Sequence, residues 1–333
     1  MMRLSVLDQA PVSKGDSPEQ TLQHTLELAQ WTEKLGYHRY WVAEHHNTTG
    51  LASSSPEIMM TRIASATKRI RVGSGGILLP QYSPYKIAEN AKTMAAFFPN
   101  RIDIGVGSSP GGSPLTRSAL TDNQNKSLRD FPRQVADLQG FLHNSLPRDH
   151  EFRLVKAGPR IEEKQLPPLW LLGLSERSAK QAAALGIGFV FGHFIDPSHG
   201  RQALQTYYDH FSPSVSGKES QSIVCIFVVC AETEEEAEEL AVTQDKWLLS
   251  VGKGVGTKVL PLEDIRKQTF NKEEWTTIQQ NRRRCIIGTP EMVKEQLSQL
   301  QEVYQTDEFM IITNIFDFEA KKKSYRLLAE AVF

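Results

Sequence analysis

The sequence predicts an α/β fold of the (β/α)8 TIM-barrel class, with inserted loops and helices at the C-terminal face. Short β-type runs alternate with helical stretches eight times, as in βα units built around a parallel sheet. Several of these runs are apolar throughout, which is typical of strands buried on both faces. The 333 residues suffice for such a barrel with insertions.

Eight candidate strands support the barrel in chain order. They are residues 4–8, 39–43, 71–79, 101–106, 168–172, 188–191, 222–231 and 309–313. Intervening helices are predicted to begin where a capping residue directly precedes a proline, namely at Ser17, Ser55, Ser83, Asp196 and Thr289. The side-chain oxygen can cap an orphan backbone N–H, and proline suits the first helical position. No composition break divides the chain, so we expect a single domain over residues 1–333.

Three segments exceed what short barrel connections need. Residues 107–127 form a Gly/Ser/Pro-rich loop, residues 148–166 a predicted hairpin excursion, and residues 252–284 a polar insertion. Long loops at the strand ends of a barrel are usually functional or disordered. We expect the substrate pocket beneath the first and the last of them.

Composition argues against several classes of partner. Lys and Arg number 38 against 39 Asp and Glu, so the charge does not favour nucleic acid or an anionic membrane. No window approaches the roughly 18 apolar residues of a membrane span, and the N-terminus does not look like a signal peptide. Cys225, Cys230 and Cys285 lack disulfide or metal-site spacing. We therefore expect a cytoplasmic protein with reduced thiols.

An ionisable triplet, Glu44-His45-His46, follows the second predicted strand, at the face where barrel active sites lie. Because neighbouring side chains alternate in direction, at most two of the three can point at one site. Histidine changes protonation readily near neutral pH, which suits proton transfer. A metal site needs three or four convergent ligands, and the remaining histidines show no metal-type spacing. The triplet alone is compatible with a proton-transfer site, a metal-dependent hydrolase or a polar rim, and we predict no metal ligand.

Glycines mark two further segments. Gly73, Gly75 and Gly76 interrupt the third strand, which indicates either a bulge or a close approach by a ligand. Gly173 leads into a predicted helix whose start offers Ser175 and Ser178. Backbone N–H groups and hydroxyls at a helix N-terminus can bind phosphate, although an ordinary serine cap has the same pattern. A glycine-rich run at 103–112 resembles a dinucleotide fingerprint only superficially, since no helix follows promptly.

Together, these motifs resemble those of the bacterial luciferase-like flavin monooxygenases over most of the chain. The similarity rests on the order and spacing of residues 41–46, 72–80, 101–107, 182–186 and 288–290. The resemblance implies a barrel enzyme that oxidises a small organic substrate with dioxygen and reduced FMN. It also implies a separate flavin reductase as a transient partner, and a homodimer.

The resemblance assigns roles by position. It implies that His45 is the catalytic acid/base, that Glu44 lies beside the flavin ring, and that His46 is structural. It further implies a cis peptide bond between Gly75 and Gly76. The other residues that it places at the cofactor are Gly107, Ser108, Gly173, Leu174, Ser175, Ser178, Gly192 and His193. Among these, Ser175 and Ser178 match the hydroxyls that hold the phosphate.

Two positions depart from the family pattern. His193 stands where the luciferases carry an aromatic residue, and Ser108 stands where many relatives carry a phosphate-binding arginine. A neutral hydroxyl cannot replace a bidentate cation, so Arg117 or Arg177 would have to substitute, or FMN would bind more weakly. Ser108 therefore keeps a non-catalytic flavin-binding protein open as an alternative. A deazaflavin-dependent oxidoreductase of the same fold is a second alternative.

Overall fold

In a computed structural model of the chain, residues 2–124, 126–254 and 257–333 are described. The strands are β1 (Arg3–Asp8), β2 (Arg39–Val42), β3 (Arg71–Ser74), β4 (Ile77–Leu78), β5 (Ile102–Gly107), β6 (Leu169–Gly173), β7 (Gly188–Phe191), β8 (Ser222–Cys230), β9 (Cys285–Gly288) and β10 (Glu308–Ile312). All pairings between them are parallel, in the order β10-β1-β2-β3-β5-β6-β7-β8, and β8 pairs with β10 to close the barrel. The predicted (β/α)8 fold is confirmed.

Two short strands complete the sheet. β4 continues the line of β3 after the glycine interruption and pairs with the end of β5. β9 pairs with the C-terminal half of β8, from Phe227 to Cys230. The sequence analysis did not predict β9, because its four residues lie at the end of a long polar segment and show no run of their own.

The helices are α1 (Pro18–Leu35), α2 (Pro56–Ala66), α3 (Pro84–Phe97), α4 (Pro114–Leu120), α5 (Phe131–His143), α6 (Glu176–Leu185), α7 (Gly200–His210), α8 (Glu234–Gly252), α9 (Leu262–Arg266), α10 (Lys272–Arg282), α11 (Pro290–Tyr304) and α12 (Phe318–Val332). Ser17 and Thr289 cap α1 and α11 as predicted, with side chains that accept from backbone N–H groups three residues on. Ser55 and Ser83 precede α2 and α3 but make no capping bond. The prediction that Asp196 caps a helix was wrong. Asp196 instead accepts from Ser198 N in a local turn, which delays α7 until Gly200.

Side-chain alternation divides each strand between two cores. Residues such as Phe189 and Phe191 of β7 pack outward against the helices, whereas Val190 faces the barrel interior. Trp41 and Trp170 fill the middle of that interior, with their rings edge to face at 5.8 Å. This parity fixes which residues can reach the C-terminal mouth of the barrel.

The three long segments differ in structure. Residues 107–127 contain α4 and are fastened to the β4 region, where Lys126 Nζ donates to the Gln81 carbonyl at 2.9 Å. Residues 148–166 contain turns and a 3-10 helix but no strand in the part that the structure describes, so the predicted hairpin is wrong. Pro159, within this segment, lacks the N–H donor that a hairpin ladder needs. Residues 252–284 hold α9 and α10, with residues 255–256 outside the described ranges. Across the helices described, none combines the length and apolar character that crossing a membrane requires.

Candidate active site

Three chain segments meet over one side of the barrel mouth. Val12 N donates to the Gly50 carbonyl, and Lys14 N to the Val259 carbonyl, each at 2.8 Å. Trp247 Nε1, in the C-terminal half of α8, donates to the Thr257 carbonyl at 2.9 Å. We call residues 10–14, 48–53 and 257–259, with the C-terminal half of α8, the roof. The roof lies above the ends of β1, β2 and β10, whereas Ser108 and Ser175, after β5 and β6, are exposed.

His45 lies three residues beyond β2 on the parity of Trp41 and Ala43, which face the interior. Its backbone N donates to the Ser53 carbonyl at 2.8 Å, which holds it under the roof. Its Nδ1 is enclosed and has no hydrogen-bond partner among the described residues. Burial lowers the pKa of His45 to about 4, and the neighbouring His46 adds to this effect. The imidazole is therefore neutral at pH 7, and its Nδ1 is an unsatisfied buried atom.

Glu44 has the opposite parity and binds within the protein. Its Oε2 accepts from Leu78 N at 2.8 Å, and its Oε1 accepts from the Tyr82 hydroxyl at 2.5 Å. His46 Nε2 contacts the same Oε1 at 2.7 Å. The structure thus brings Glu44 and His46 together, toward β4, and separates them from His45. Their contacts fasten β4 and the turn after it to the end of β2.

The peptide bond between Gly75 and Gly76 is cis, as predicted. The interior-facing glycines differ in the space that a Cβ would find. A Cβ on Gly75 would lie 2.5 Å from Leu7 Cδ1, and one on Gly105 would lie 2.1 Å from the Ser74 carbonyl oxygen. A Cβ on Gly107 would meet nothing within 4 Å. Packing against backbone therefore requires Gly105, Gly75 faces the movable tip of Leu7, and Gly107 presents bare backbone to open space.

Ser175 caps α6 in a reciprocal arrangement with Ser178. Ser175 Oγ accepts from Ser178 N at 3.4 Å, and Ser178 Oγ accepts from Ser175 N at 3.2 Å. A Cβ on Gly173 would lie 2.1 Å from Ser178 Oγ, so this close packing requires the glycine. The geometry is compatible with both interpretations of the sequence. Ser175 acts as an ordinary helix cap, and the positive N-terminal end of α6 also suits a phosphate.

The two arginines that could replace the family's phosphate-binding arginine differ in their surroundings. Arg117 donates to the Lys126 carbonyl, within the 107–127 segment. Arg177 is exposed in the first turn of α6, two residues after Ser175, and among the described residues it has no ion pair. Arg177 is therefore the better placed of the two.

His193 lies two residues beyond β7 and packs toward α11, and its place at the cofactor stays a prediction. It shares the parity of Phe189 and Phe191, and its Nδ1 lies 2.8 Å from the Tyr304 hydroxyl of α11. Burial lowers the pKa of His193 to about 4. The next residue, Phe194, packs instead against Phe227 in the interior, at 5.6 Å between ring centroids.

Two interior-facing amides were missed by sequence reasoning. Gln9 follows β1 on the parity of Leu7, and Asn314 follows β10 on the parity of Ile312. Asn314 Nδ2 donates to Gln9 Oε1 at 3.4 Å. Extending the strand alternation past the last apolar residue would have identified both as candidates for the mouth. Their pairing could not be found that way, since 305 positions separate them.

One small cavity lies between β1, α1 and α12, beside the part of the roof formed by residues 10–13. It has a volume of about 30 Å³ and is lined by Asp8, Thr25 and Lys321, among others. That volume holds about one water molecule, which is too small for an organic ligand. Within the described ranges no three His, Cys, Asp or Glu side chains group as a metal site would need. We therefore place the candidate active site at the mouth, around His45.

Comparison with known proteins assigns the family. A family model described as luciferase-like monooxygenase matches residues 2–307. The chain belongs to the luciferase-like monooxygenase family. Among its relatives, the uncharacterized protein YceB of Bacillus subtilis (strain 168) is 54% identical over 330 residues, 99% of each chain. The N-acetyl-S-alkylcysteine monooxygenase of the same organism is 37% identical over 334 residues, 100% of this chain and 98% of that one. Family membership identifies the protein as an oxidoreductase.

Solved structures of other proteins agree with the observed fold. The crystal structure of apo-MsnO8 is 34% identical with a TM-score of 0.88, covering 99% of this chain and 98% of that one. The FMN complex of the oxygenating constituent of 3,6-diketocamphane monooxygenase from Pseudomonas putida is 18% identical, with a TM-score of 0.72 and coverage of 100% and 98%. An F420-dependent secondary alcohol dehydrogenase is 14% identical, with a TM-score of 0.67 and coverage of 99% and 98%. The last two share the fold alone, and they show that it accommodates either cofactor.

Proposed function

We propose that the protein is the oxygenating component of a two-component, FMN-dependent monooxygenase. The buried His45 imidazole at the end of β2 carries this proposal, because its Nδ1 has no partner among the described residues and buried polar atoms are normally satisfied. The phosphate of FMN would bind at the start of α6, with Arg177 nearby. The residues that would hold the cofactor are those that the family resemblance implies, with Phe194 beside them: Glu44, Gly75, Gly76, Gly107, Ser108, Gly173, Leu174, Ser175, Ser178, Gly192 and His193.

The protein's own groups would act in three ways. His45 is neutral at pH 7, so it can take up or pass on a proton at the edge of the site. Glu44 positions β4 and its neighbouring turn through Leu78 N and the Tyr82 hydroxyl. The roof and the aromatic interior exclude water from one side of the mouth. When bound, reduced FMN would supply the electrons that dioxygen activation requires.

FMN is favoured over a deazaflavin cofactor by the charge of the cofactor end of the mouth. Ser108 is neutral, Arg117 is occupied by a backbone carbonyl, and Glu176 adds a carboxylate to the first turn of α6. One nearby cation suits a single phosphate better than a longer anionic tail. Titration with FMN, and separately with F420, tests this choice through the two dissociation constants.

Anaerobic mixing of the protein with reduced FMN, followed by oxygen, tests the activity. We expect the flavin to reoxidise with a rate and a transient absorbance that differ from those of free flavin. N-acetyl-S-methylcysteine is the first substrate to try, given the name of the 37% identical relative, with sulfoxide formation as the readout. We expect His45→Asn to bind FMN normally and form at least about tenfold less product, as for the loss of an acid/base.

The outcomes distinguish the candidate functions. Binding of FMN with unchanged flavin reoxidation would support the non-catalytic flavin-binding protein. No measurable binding of either oxidised or reduced FMN would sink the proposal altogether. Normal product formation by His45→Asn would remove His45 from the chemistry while leaving the monooxygenase assignment intact.

The proposal includes an assembly and a location. We propose a single-domain chain that forms a homodimer in the cytoplasm and receives reduced flavin from a separate reductase by transient contact. Ile58 of α2 is apolar and 72% exposed, and Phe97 of α3 is 71% exposed, so association would cover apolar surface. Light scattering of the purified protein measures the oligomeric state, and a monomer at micromolar concentration would contradict the homodimer.

A further inference from the structure

Gln9 and Asn314 form a buried amide pair on the wall of the mouth. Val6 of β1 lies opposite Ile311 of β10, so three residues further along Gln9 falls opposite Asn314. Gln9 is 6% exposed and Asn314 is 1% exposed. The Asn314 backbone N–H donates to Gln244 Oε1 at 3.3 Å, which anchors the pair to α8. Backbone and neighbouring helix thus hold the two amides in place.

The contact between the two amides leaves one donor group and one acceptor unused. With Asn314 Nδ2 donating to Gln9 Oε1, neither Gln9 Nε2 nor Asn314 Oδ1 has a partner among the described residues. Neither atom is among the fully enclosed unpaired polar atoms, so each keeps a small accessible surface. Buried amides in a finished core are normally satisfied. The unused donor and acceptor therefore make this pair a candidate for binding a ligand.

The pair also lies within reach of His45. Ala43 N donates to the Asp8 carbonyl at 3.1 Å, which places Gln9 level with the β2 end, two residues before His45. Two residues along a strand span about 7 Å, the length of a small molecule. A ligand bound to the amides would therefore extend to the imidazole.

The electrostatic setting of the pair is neutral. Burial keeps His45 uncharged at pH 7, and the nearby carboxylate of Asp8 is occupied by Thr25, Tyr40 and Lys321. Arg284 donates to the Phe194 and Ile195 carbonyls at 3.2 Å, so its guanidinium is engaged on the β7 side. Neither His45 nor Arg284 therefore offers a free positive charge to a carboxylate, whereas an amide would find both a donor and an acceptor.

We propose that Gln9 and Asn314 are specificity-determining residues that bind a neutral secondary amide of the substrate. Gln9 Nε2 donates to the amide carbonyl, and Asn314 Oδ1 accepts from the amide N–H. The oxidisable atom of the substrate then lies toward His45. This inference rests on the proposed monooxygenase function for its meaning, but its binding step does not require flavin.

A matched pair of thioethers tests the inference. N-[2-(methylthio)ethyl]acetamide and 2-(methylthio)ethyl acetate share one skeleton, and the ester lacks only the N–H. Isothermal titration without flavin, and again with oxidised FMN, gives the two dissociation constants. We expect wild-type protein to bind the amide at least about tenfold more tightly than the ester, because the ester leaves the Asn314 acceptor unpaired.

Variants separate the two amides. In Asn314→Leu we expect the amide and the ester to bind within about twofold of each other, since the acceptor is gone. In Gln9→Met, which keeps the side-chain volume, both probes should weaken alike, because both use the carbonyl acceptor. Gln134→Leu removes a buried amide of α5 and should leave the tenfold ratio unchanged.

Three results would overturn the inference. They are equal affinity for the two probes in wild-type protein, no binding of either, or an unchanged ratio in a folded Asn314→Leu. If Asn314→Leu fails to fold, the parallel weakening in Gln9→Met decides the question. Because titration runs without flavin, failure of the amide preference leaves the FMN experiments untouched, and failure of flavin binding leaves the titration interpretable.

Discussion

Two buried histidines at strand ends show how single residues acquire different roles. His45 faces the mouth with an unpaired Nδ1, while His193 faces outward and contacts the Tyr304 hydroxyl. Burial lowers the pKa of each to about 4. The two imidazoles thus have similarly lowered pKa values, yet His45 is a candidate proton-transfer group and His193 makes a packing contact. The difference lies in the parity of one residue along a strand.

Acid should destabilise the protein partly through His193. Its folded-state pKa of about 4 lies below the ordinary value of 6.5, so the unfolded chain binds the proton more tightly. The contribution of His193 to stability is therefore complete above pH 6.5 and is lost as the pH falls toward 4. In His193→Gln, which cannot titrate, we expect the loss of unfolding free energy between about pH 7.5 and 5 to shrink by about 1–2 kcal/mol.

Urea denaturation at the two pH values measures this effect. His199→Gln, which changes an exposed histidine, serves as the control and should keep the wild-type pH dependence. The same loss in His193→Gln as in wild-type protein would show that His193 is not held neutral by burial.

At the scale of elements, the interrupted third strand and the start of α6 define the two ends of the candidate cofactor site. Glu44 fastens β4 to the end of β2, beyond the cis bond between Gly75 and Gly76. Ser175 and Ser178 close the first turn of α6 on each other. In both places a glycine lies close to a polar side chain. The glycine lets neighbouring groups pack closely against the backbone, and the polar side chain accepts from a backbone N–H group.

The start of α6 should select for the phosphate of FMN. In Ser175→Ala we expect FMN to bind roughly tenfold more weakly, because a hydroxyl to the phosphate is lost. Riboflavin, which lacks the phosphate, should bind the variant as it binds the wild-type protein. The loss of the N-cap should also lower the unfolding free energy by about 1 kcal/mol. Fluorescence titration with the two flavins measures the ratio, and equal weakening of both would place the phosphate elsewhere.

At the scale of the whole molecule, a buried ionic network joins the first and last strands to the middle of the barrel. Arg39 of β2 donates to Asp103 of β5 and to Glu308 of β10, each at 2.8 Å. Burial works to raise the pKa of Asp103, but the charges of Arg39 and Arg71 outweigh it and lower the pKa. Ser5 of β1 donates to Glu308 at 2.6 Å. Barrel closure thus depends on one guanidinium near the N-terminal ends of the strands.

Removing that guanidinium should be costly for folding. Arg39→Met would leave Asp103 without one of its two arginines and Glu308 without its buried one, and we expect the unfolding free energy to fall by about 3–5 kcal/mol. Arg133→Met breaks an ion pair with Asp137 whose arginine side chain is 61% exposed, and it should cost less than about 0.5 kcal/mol. Urea denaturation of both variants measures the contrast. Equal midpoints for the two would contradict the role of Arg39 in closure.

Much of the fold could be predicted because the signals are local. Apolar strand runs recur with helices between them, so all eight barrel strands were located, and Ser17 and Thr289 cap their helices as predicted. Strand β9 was missed, since its pairing partner lies more than 50 residues away in β8. The start of α7 was misplaced, because Asp196 satisfies Ser198 in a turn instead of capping a helix.

The candidate site was predictable only in part. Strand parity put His45 and Glu44 on opposite sides, and the family resemblance led to the cis bond at Gly75-Gly76. Parity would also have turned His193 outward and Phe194 inward, had it been applied beyond the last apolar residue of β7.

By itself, the sequence determined the barrel class, the positions of the strands along the chain with the polar residues that follow them, and the family to which its motifs point. Only the tertiary structure decided that Gln9 meets Asn314, that Arg39 joins Asp103 to Glu308, and that the roof covers one side of the mouth. The physical reason is chain closure. Periodicity is read within a strand, whereas these contacts depend on the register in which the first and last strands meet.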